Sequence, residues 1–260
     1  MEITTPGRIC LFGEHSDYLG LPIIAMAISL RAKISGQKRT DNQVIIHQPD
    51  INETETFSLK DLRYTKPRDY FKSCIKTCQN EGLVFSSGFE CEVSSEIPIR
   101  AGASSSSAIN VSWIHFLSKM ADNPIEWTQE KIGELTYQAE STEFNEPGGM
   151  MDQYTTAMGH IIHLESEPHI SIQSLNPELG SFVLGDSEQP KDTMGILKRL
   201  NDSRVEILNT LRAKNPTINI HTMNNDTNLS DLNKEQRKMY KGTVQNRNLL
   251  RKALVELKKK

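Results

Sequence analysis

The sequence predicts an α+β fold, and three features carry that expectation. Short β-rich runs fill much of the first hundred residues. The middle of the chain carries long stretches with helical spacing of apolar residues. Beyond residue 190, two helix-like segments flank a polar stretch. Residues 21–35 begin as an apolar run and then alternate, and 43–48 and 56–59 are short and β-rich, as strands of a sheet with a covered face are. A helix is expected over 67–81, entered after Pro67. Phe89 to Ser94 alternates strictly and reads as a strand.

Ser104 to Met120 reads as a helix, with Ile109, Val111, Trp113, Ile114, Phe116, Leu117 and Met120 as its apolar members. Ile125 to Thr142 reads as a second helix, and Met150–Met158 as a further turn or two. Strands are expected at His160–Glu165, Ile170–Leu175 and Ser181–Leu184. Residues 192–213 look helical, 214–233 are a polar loop, and Glu235–Lys259 is a long amphipathic helix whose closing lysines suit a helix C-terminus. A domain boundary falls near residues 165–190.

Composition narrows the function classes. With 260 residues and 37% hydrophobic content, the chain can bury a sizeable core in one large domain or two ordinary ones. The formal net charge is -3, without the basic excess that drives nucleic-acid binding, so no nucleic-acid partner is expected. No apolar run reaches roughly 18 residues, so no membrane partner is expected. Met1–Thr5 does not open a secretory signal. Cys10, Cys74, Cys78 and Cys91 make no zinc pattern and read as reduced thiols of a cytoplasmic protein. The oligomeric state has no signature in the sequence.

Three strings carry chemistry. The first, Ile97-Pro98-Ile99-Arg100-Ala101-Gly102-Ala103-Ser104-Ser105-Ser106-Ser107-Ala108, lies between a strand and a helix. Small residues let a backbone approach a ligand, and the unpaired N–H groups opening a helix stabilise a phosphate. The four serines add hydroxyl donors, and a serine oxygen can ligate Mg²⁺. The string lacks the Walker A ending. Taken alone, it fits a serine-rich linker equally well. The second string, Pro6 to Gly20, sets Arg8, Glu14, His15 and Asp17 between glycines, a spacing that suits a polyhydroxylated ligand or an ordinary surface turn. The third, Glu140 to Gln153, places Asp152 just after Gly148-Gly149. A carboxylate there can orient an alcohol and accept its proton as it attacks phosphorus, or simply favour a helix N-terminus.

In chain order, Pro6–Gly20, then Ile97–Ala108, then Glu140–Gln153, the strings resemble the GHMP kinases, the superfamily of galactokinase, homoserine kinase, mevalonate kinase and phosphomevalonate kinase. Pro6-Gly7-Arg8 followed by Gly13-Glu14-His15-Ser16-Asp17-Tyr18 looks most like galactokinase. The resemblance implies a two-domain fold: an N-terminal unit over 1–165, a mixed sheet with helices, and a C-terminal α/β unit over 166–260. It implies ATP and Mg²⁺ as cofactors and a small-molecule sugar as substrate. By that resemblance Asp152 and Arg8 are catalytic, and Glu14, His15 and Asp17 hold sugar hydroxyls. Gly102, Ala103, Ser104, Ser105, Ser106 and Ser107 surround the ATP phosphates, and Ser106 and Glu140 hold the metal.

The chain departs from the family pattern at Arg100, where glycine is usual, and at Ala103, where leucine is usual. Nothing after residue 190 resembles the third, glycine-rich family motif, and the expectation is a second domain that is only partly present. The implied reaction is transfer of the ATP γ-phosphoryl group to the anomeric hydroxyl of a galactose-like hexose. Phosphorylation of another alcohol, a sugar- and ATP-binding sensor and a catalytically crippled fragment are the alternatives.

Overall fold

A computed structural model of the chain describes residues 1–99, 101–146, 148–185 and 193–259. Arg100 and most of the string 185–193 therefore lie outside the described residues. The frame is a seven-stranded mixed sheet in the order β4-β3-β5-β2-β6-β7, with β1 paired to β2 off that path. Its strands are β1 (Glu2–Phe12), β2 (Ile23–Lys38), β3 (Gln43–Gln48), β4 (Glu53–Ser58), β5 (Phe89–Ser95), β6 (Ile161–Glu165) and β7 (Ser171–Leu175). β2 is the axis of the sheet. β1 pairs along most of its length, β5 pairs at Ala32–Lys38, and β6 pairs at Ile23–Met26. All pairings are antiparallel except β3 with β5. β7 pairs with β6, so the sheet runs past residue 165.

The helices are α1 (Tyr70–Asn80), α2 (Ser105–Met120), α3 (Gln129–Tyr137), α4 (Met151–Met158), α5 (Thr193–Arg212) and α6 (Lys234–Leu257). Alternate strand residues meet α1 and α2 on one face: Ile34, Val44, Ile46, Phe89, Cys91 and Val93 pack with Cys74, Trp113, Phe116 and Leu117. Trp113 is the hub. It stacks on Phe116 at 5.5 Å, meets Phe71 and Phe89 edge-on, and donates its indole N–H to the Phe71 carbonyl at 3.1 Å. Near its start β2 is covered on both faces. Ile23 and Ala25 pack with Met151 and Tyr154 of α4, while Ile24 packs with Leu250 of α6. A separate cluster joins Leu21 to Ile207 and Leu211 of α5 and to Tyr240 and Val244 of α6.

Four sequence expectations need correction. The string from Pro6 is not a surface turn up to Phe12, because it forms the second half of β1; the β1–β2 register shifts between Pro6 and Arg8, where a residue without an N–H is tolerated. α1 begins at Tyr70 rather than 67, since Arg68 has φ 55° and Asp69 is the N-cap. The helix expected over 125–142 begins only after Thr128, whose hydroxyl oxygen accepts the Lys131 N–H, and ends in a π-helical turn, Gln138–Thr142. Ser181–Leu184 forms no strand; Val183 is 97% exposed, and β-rich residues without a partner edge do not pair.

Candidate active site

Arg8 sits on β1 directly after the register shift. Gly7 lets the serine-rich loop lie against the strand: a Cβ there would stand 2.9 Å from the Ala103 carbonyl oxygen. That carbonyl accepts the Arg8 N–H at 3.1 Å. The Arg8 side chain is buried; Nη1 donates to the Gly102 carbonyl at 2.7 Å, and Nε and Nη2 donate to Asp152 Oδ1 at 2.8 and 2.5 Å. Burial opposes the guanidinium charge, but the Asp152 and Glu14 carboxylates outweigh it and raise its pKa. One buried cation thus fastens the loop to the aspartate, and both Asp152 bonds fall on the same oxygen.

Asp152 lies in the first turn of α4. The turn is held from outside, since Asp17 Oδ2 accepts the Met151 N–H at 3.1 Å. Asp17 leans so closely over Gly149 that a Cβ there would lie 1.8 Å from Asp17 Oδ2. Burial raises the Asp17 carboxyl to about 6; the Met151 N–H opposes the shift and the Asp152 charge adds to it.

α2 opens at Ser104, which has left-handed φ of 60° and a buried hydroxyl without a hydrogen-bond partner. The π-helical turn after α3 brings Glu140 against this end of α2. Glu140 is buried and is held by neutral donors: Ser107 at 2.9 Å, Asn110 at 2.6 Å, Ser106 at 3.4 Å and the Gln153 amide. Burial raises its carboxyl pKa, against the pull of those donors.

The residues anticipated from sequence come together. Arg8, Glu14, His15, Asp17, Gly102 to Ser107, Glu140 and Asp152 all line one cleft of about 720 Å³. Glu14 and His15 approach each other at 3.6 Å. The details differ from residue to residue. Ala103 buries its side chain with Ala32, Ile97 and Ala108, and Ser107 spends its hydroxyl on Glu140. Tyr18 is not among the lining residues.

Sequence reading missed Asn110 and Gln153, the two amides on Glu140. A faint signal exists, since Asn110 stands three residues after Ser107 and so shares its helix face. It also missed Arg68, which lines the cleft rim and pairs with Glu146 at 2.5 and 2.9 Å.

The oxygen donors fit a hard divalent cation. Ser106 and Glu140 lie side by side, and Mg²⁺ needs only one or two protein ligands when phosphates and waters supply the rest. Among the described residues no cluster of three or more His, Cys, Asp or Glu forms a larger metal cage, and no helix is long and apolar enough to cross a membrane.

Comparison with known proteins identifies the family. The family profile described as the GHMP kinases N terminal domain matches residues 69–160, and the galactokinase galactose-binding signature matches residues 2–38. A galactokinase of Haemophilus influenzae is 31% identical over 199 residues, 74% of this chain and 51% of the relative. A mevalonate kinase of Thermococcus gammatolerans is 26% identical over 215 residues, 79% of this chain and 64% of the relative. The fold is similar to that of Lactococcus lactis galactokinase complexed with galactose, with a TM-score of 0.78 at 18% identity; the match covers 98% of this chain and 69% of the other. The chain belongs to the GHMP kinase family. Within that family it is galactokinase-like, and it spans about half the length of the Haemophilus influenzae galactokinase and about two thirds of the Lactococcus lactis one.

Proposed function

We propose that the chain carries the acceptor and phosphate machinery of an ATP-dependent sugar kinase. The reaction is transfer of the γ-phosphoryl group to the anomeric hydroxyl of a galactose-like hexose, in the cytoplasm. The observation that carries the reading is the Arg8 bridge, one guanidinium on both Asp152 and the Gly102 carbonyl. In this reading Asp152 takes the hydroxyl proton, and Arg8 stands beside the transferred group and offsets its charge. Glu14, His15 and Asp17 hold sugar hydroxyls, and the N–H groups of residues 102–107, with the Ser104 and Ser105 hydroxyls, face the ATP phosphates. Ser106 and Glu140 hold Mg²⁺, which neutralises phosphate charge when bound. Positioning and electrostatics supply most of the rate in such transfers. In this reading residues 1–165 form the family's N-terminal unit, with β7 extending its sheet, and the rest of 166–260 belongs to a second unit.

A second reading, phosphorylation of a different alcohol, draws support from the mevalonate kinase match, which extends over 79% of this chain. A coupled ADP-release screen over hexoses, deoxyhexoses and mevalonate separates the two, with Asp152→Asn as the control. Expected is release with a galactose-like hexose, lowered at least about 10²-fold in the variant while calorimetry shows ATP still bound. Release with mevalonate alone transfers the assignment to the second reading. Sugar and ATP binding without any release makes the chain a sensor, and near-normal turnover in the variant removes Asp152 from proton transfer.

A further inference from the structure

We propose that Arg204 of α5 is a positioning residue for the acceptor side of the cleft: it fixes the turn bearing Glu14, His15 and Asp17, and so governs hexose binding from the second half of the chain. The proposal rests on the sugar-kinase reading. The turn is short and conformationally demanding. His15 has left-handed φ of 58°, and Asp17–Leu19 forms a single 3₁₀ turn closed by Gly20. Glu14, His15 and Asp17 face the cleft, whereas Tyr18 does not line it.

Arg204 grips the turn from behind. Its Nη1 donates to the Tyr18 hydroxyl oxygen at 2.6 Å and to the His15 carbonyl at 2.9 Å. Its Nε donates to Thr243 Oγ1 of α6 at 3.3 Å, so one planar guanidinium ties the turn to two helices. A second tie runs beside it, from the Asn246 amide of α6 to Ser16 Oγ at 3.3 Å. Leu19 and Leu21 anchor the far end of the turn in the cluster of α5 and α6. The left-handed His15 is therefore held on its carbonyl and through Tyr18, and Asp17 stands between those two fixed points. Among the described residues, Arg204 acts on the turn through the His15 carbonyl and through Tyr18 rather than through a cleft-lining side chain.

The guanidinium fork is what the geometry uses. A lysine has one nitrogen and cannot serve Tyr18, His15 and Thr243 together in the same plane. The test compares Arg204→Met and Arg204→Lys with the unmodified chain. Hexose and ATP affinities are read by calorimetry, KM and kcat by ADP release, and loop mobility by amide hydrogen exchange. Expected in Arg204→Met is a hexose affinity about tenfold weaker and a hexose KM raised alike, with kcat changed less than about threefold and ATP affinity unchanged. Exchange should rise at least about tenfold in residues 13–20 and stay unchanged in 102–107. Arg204→Lys should recover only part of the hexose affinity.

If Arg204→Met does not fold, Tyr18→Phe removes just one acceptor and should move the same readouts in the same direction. Unchanged exchange over 13–20 overturns the proposal. So does faster exchange with unchanged hexose affinity, which leaves Arg204 a structural tie only. If the unmodified chain binds no hexose, the sugar-kinase reading fails, and the exchange data still decide whether Arg204 holds the turn.

Discussion

Asp17 carries two demands that pull against each other. Its carboxylate caps the first turn of α4 through the Met151 N–H, yet burial raises its pKa to about 6. In the unfolded chain the same group titrates near about 3.9. The folded state therefore holds the proton more tightly, and folding takes up protons between about pH 4 and pH 6. Asp17's contribution to stability is present at the low end of that window and falls as pH rises through it. Sugar binding runs the other way. A hydroxyl donating to Asp17 needs the carboxylate, so hexose affinity is expected to rise from about pH 4 to about pH 6 and then level off. Urea denaturation and calorimetric titration across the window read the two trends, and Asp17→Asn should flatten both. A hexose affinity indifferent to pH in the unmodified chain would take Asp17 out of sugar contact.

At the scale of elements, the cleft depends on how closely the 13–20 turn and the start of α4 approach each other. Gly149 permits that approach. In Gly149→Ala the new methyl collides with the Asp17 carboxylate, and either the turn or α4 must move. Expected are a stability loss of about 1–3 kcal/mol, as for other overpacked sites, and weaker hexose binding, with ATP affinity retained. Calorimetry with each ligand checks this, and an unchanged hexose affinity would show that the contact between the turn and α4 is not tuned for the acceptor.

The same elements show what could be read in advance. α2 was legible because its apolar spacing is long and its serine-rich start is distinctive. β3 was legible because it is short and β-rich, and β5 because it alternates. The strand at Pro6–Phe12 was not, since proline and glycine signal turns locally and only the partner β2 makes that stretch extended. The π-helical turn at Glu140 has no periodic signature. Asn110 and Gln153 were hidden because a single amide on a helix carries no pattern until the fold brings it to a carboxylate.

Across the whole molecule, the sheet is shared by two packing layers that meet through β2. One layer centres on Trp113, with Trp127 packed against it; the other joins Leu21 to α5, α6 and the stretch 218–232. Arg247 of α6 holds that stretch, donating to the carbonyls of Ile220 and His221 at 2.8 Å each and of Met223 at 2.5 Å. Arg247→Met keeps an apolar stem of similar reach and leaves those acceptors without their donor. The expected loss is about 2–4 kcal/mol, since each buried carbonyl left unpaired costs roughly 1 kcal/mol or more. The chain's two tryptophans, Trp113 and Trp127, both belong to the first layer, so their fluorescence reports the distant one. Within β2, Ile23 and Ala25 are buried on one face and Ile24 on the other, which couples the layers through a single strand. A fall in the tryptophan-monitored midpoint in Arg247→Met, coincident with the loss of helical signal, is therefore expected. An unmoved tryptophan transition beside a shifted helical one would instead make the C-terminal helices a separately unfolding unit, and Arg204 would then hold the substrate turn only as long as that unit stays docked.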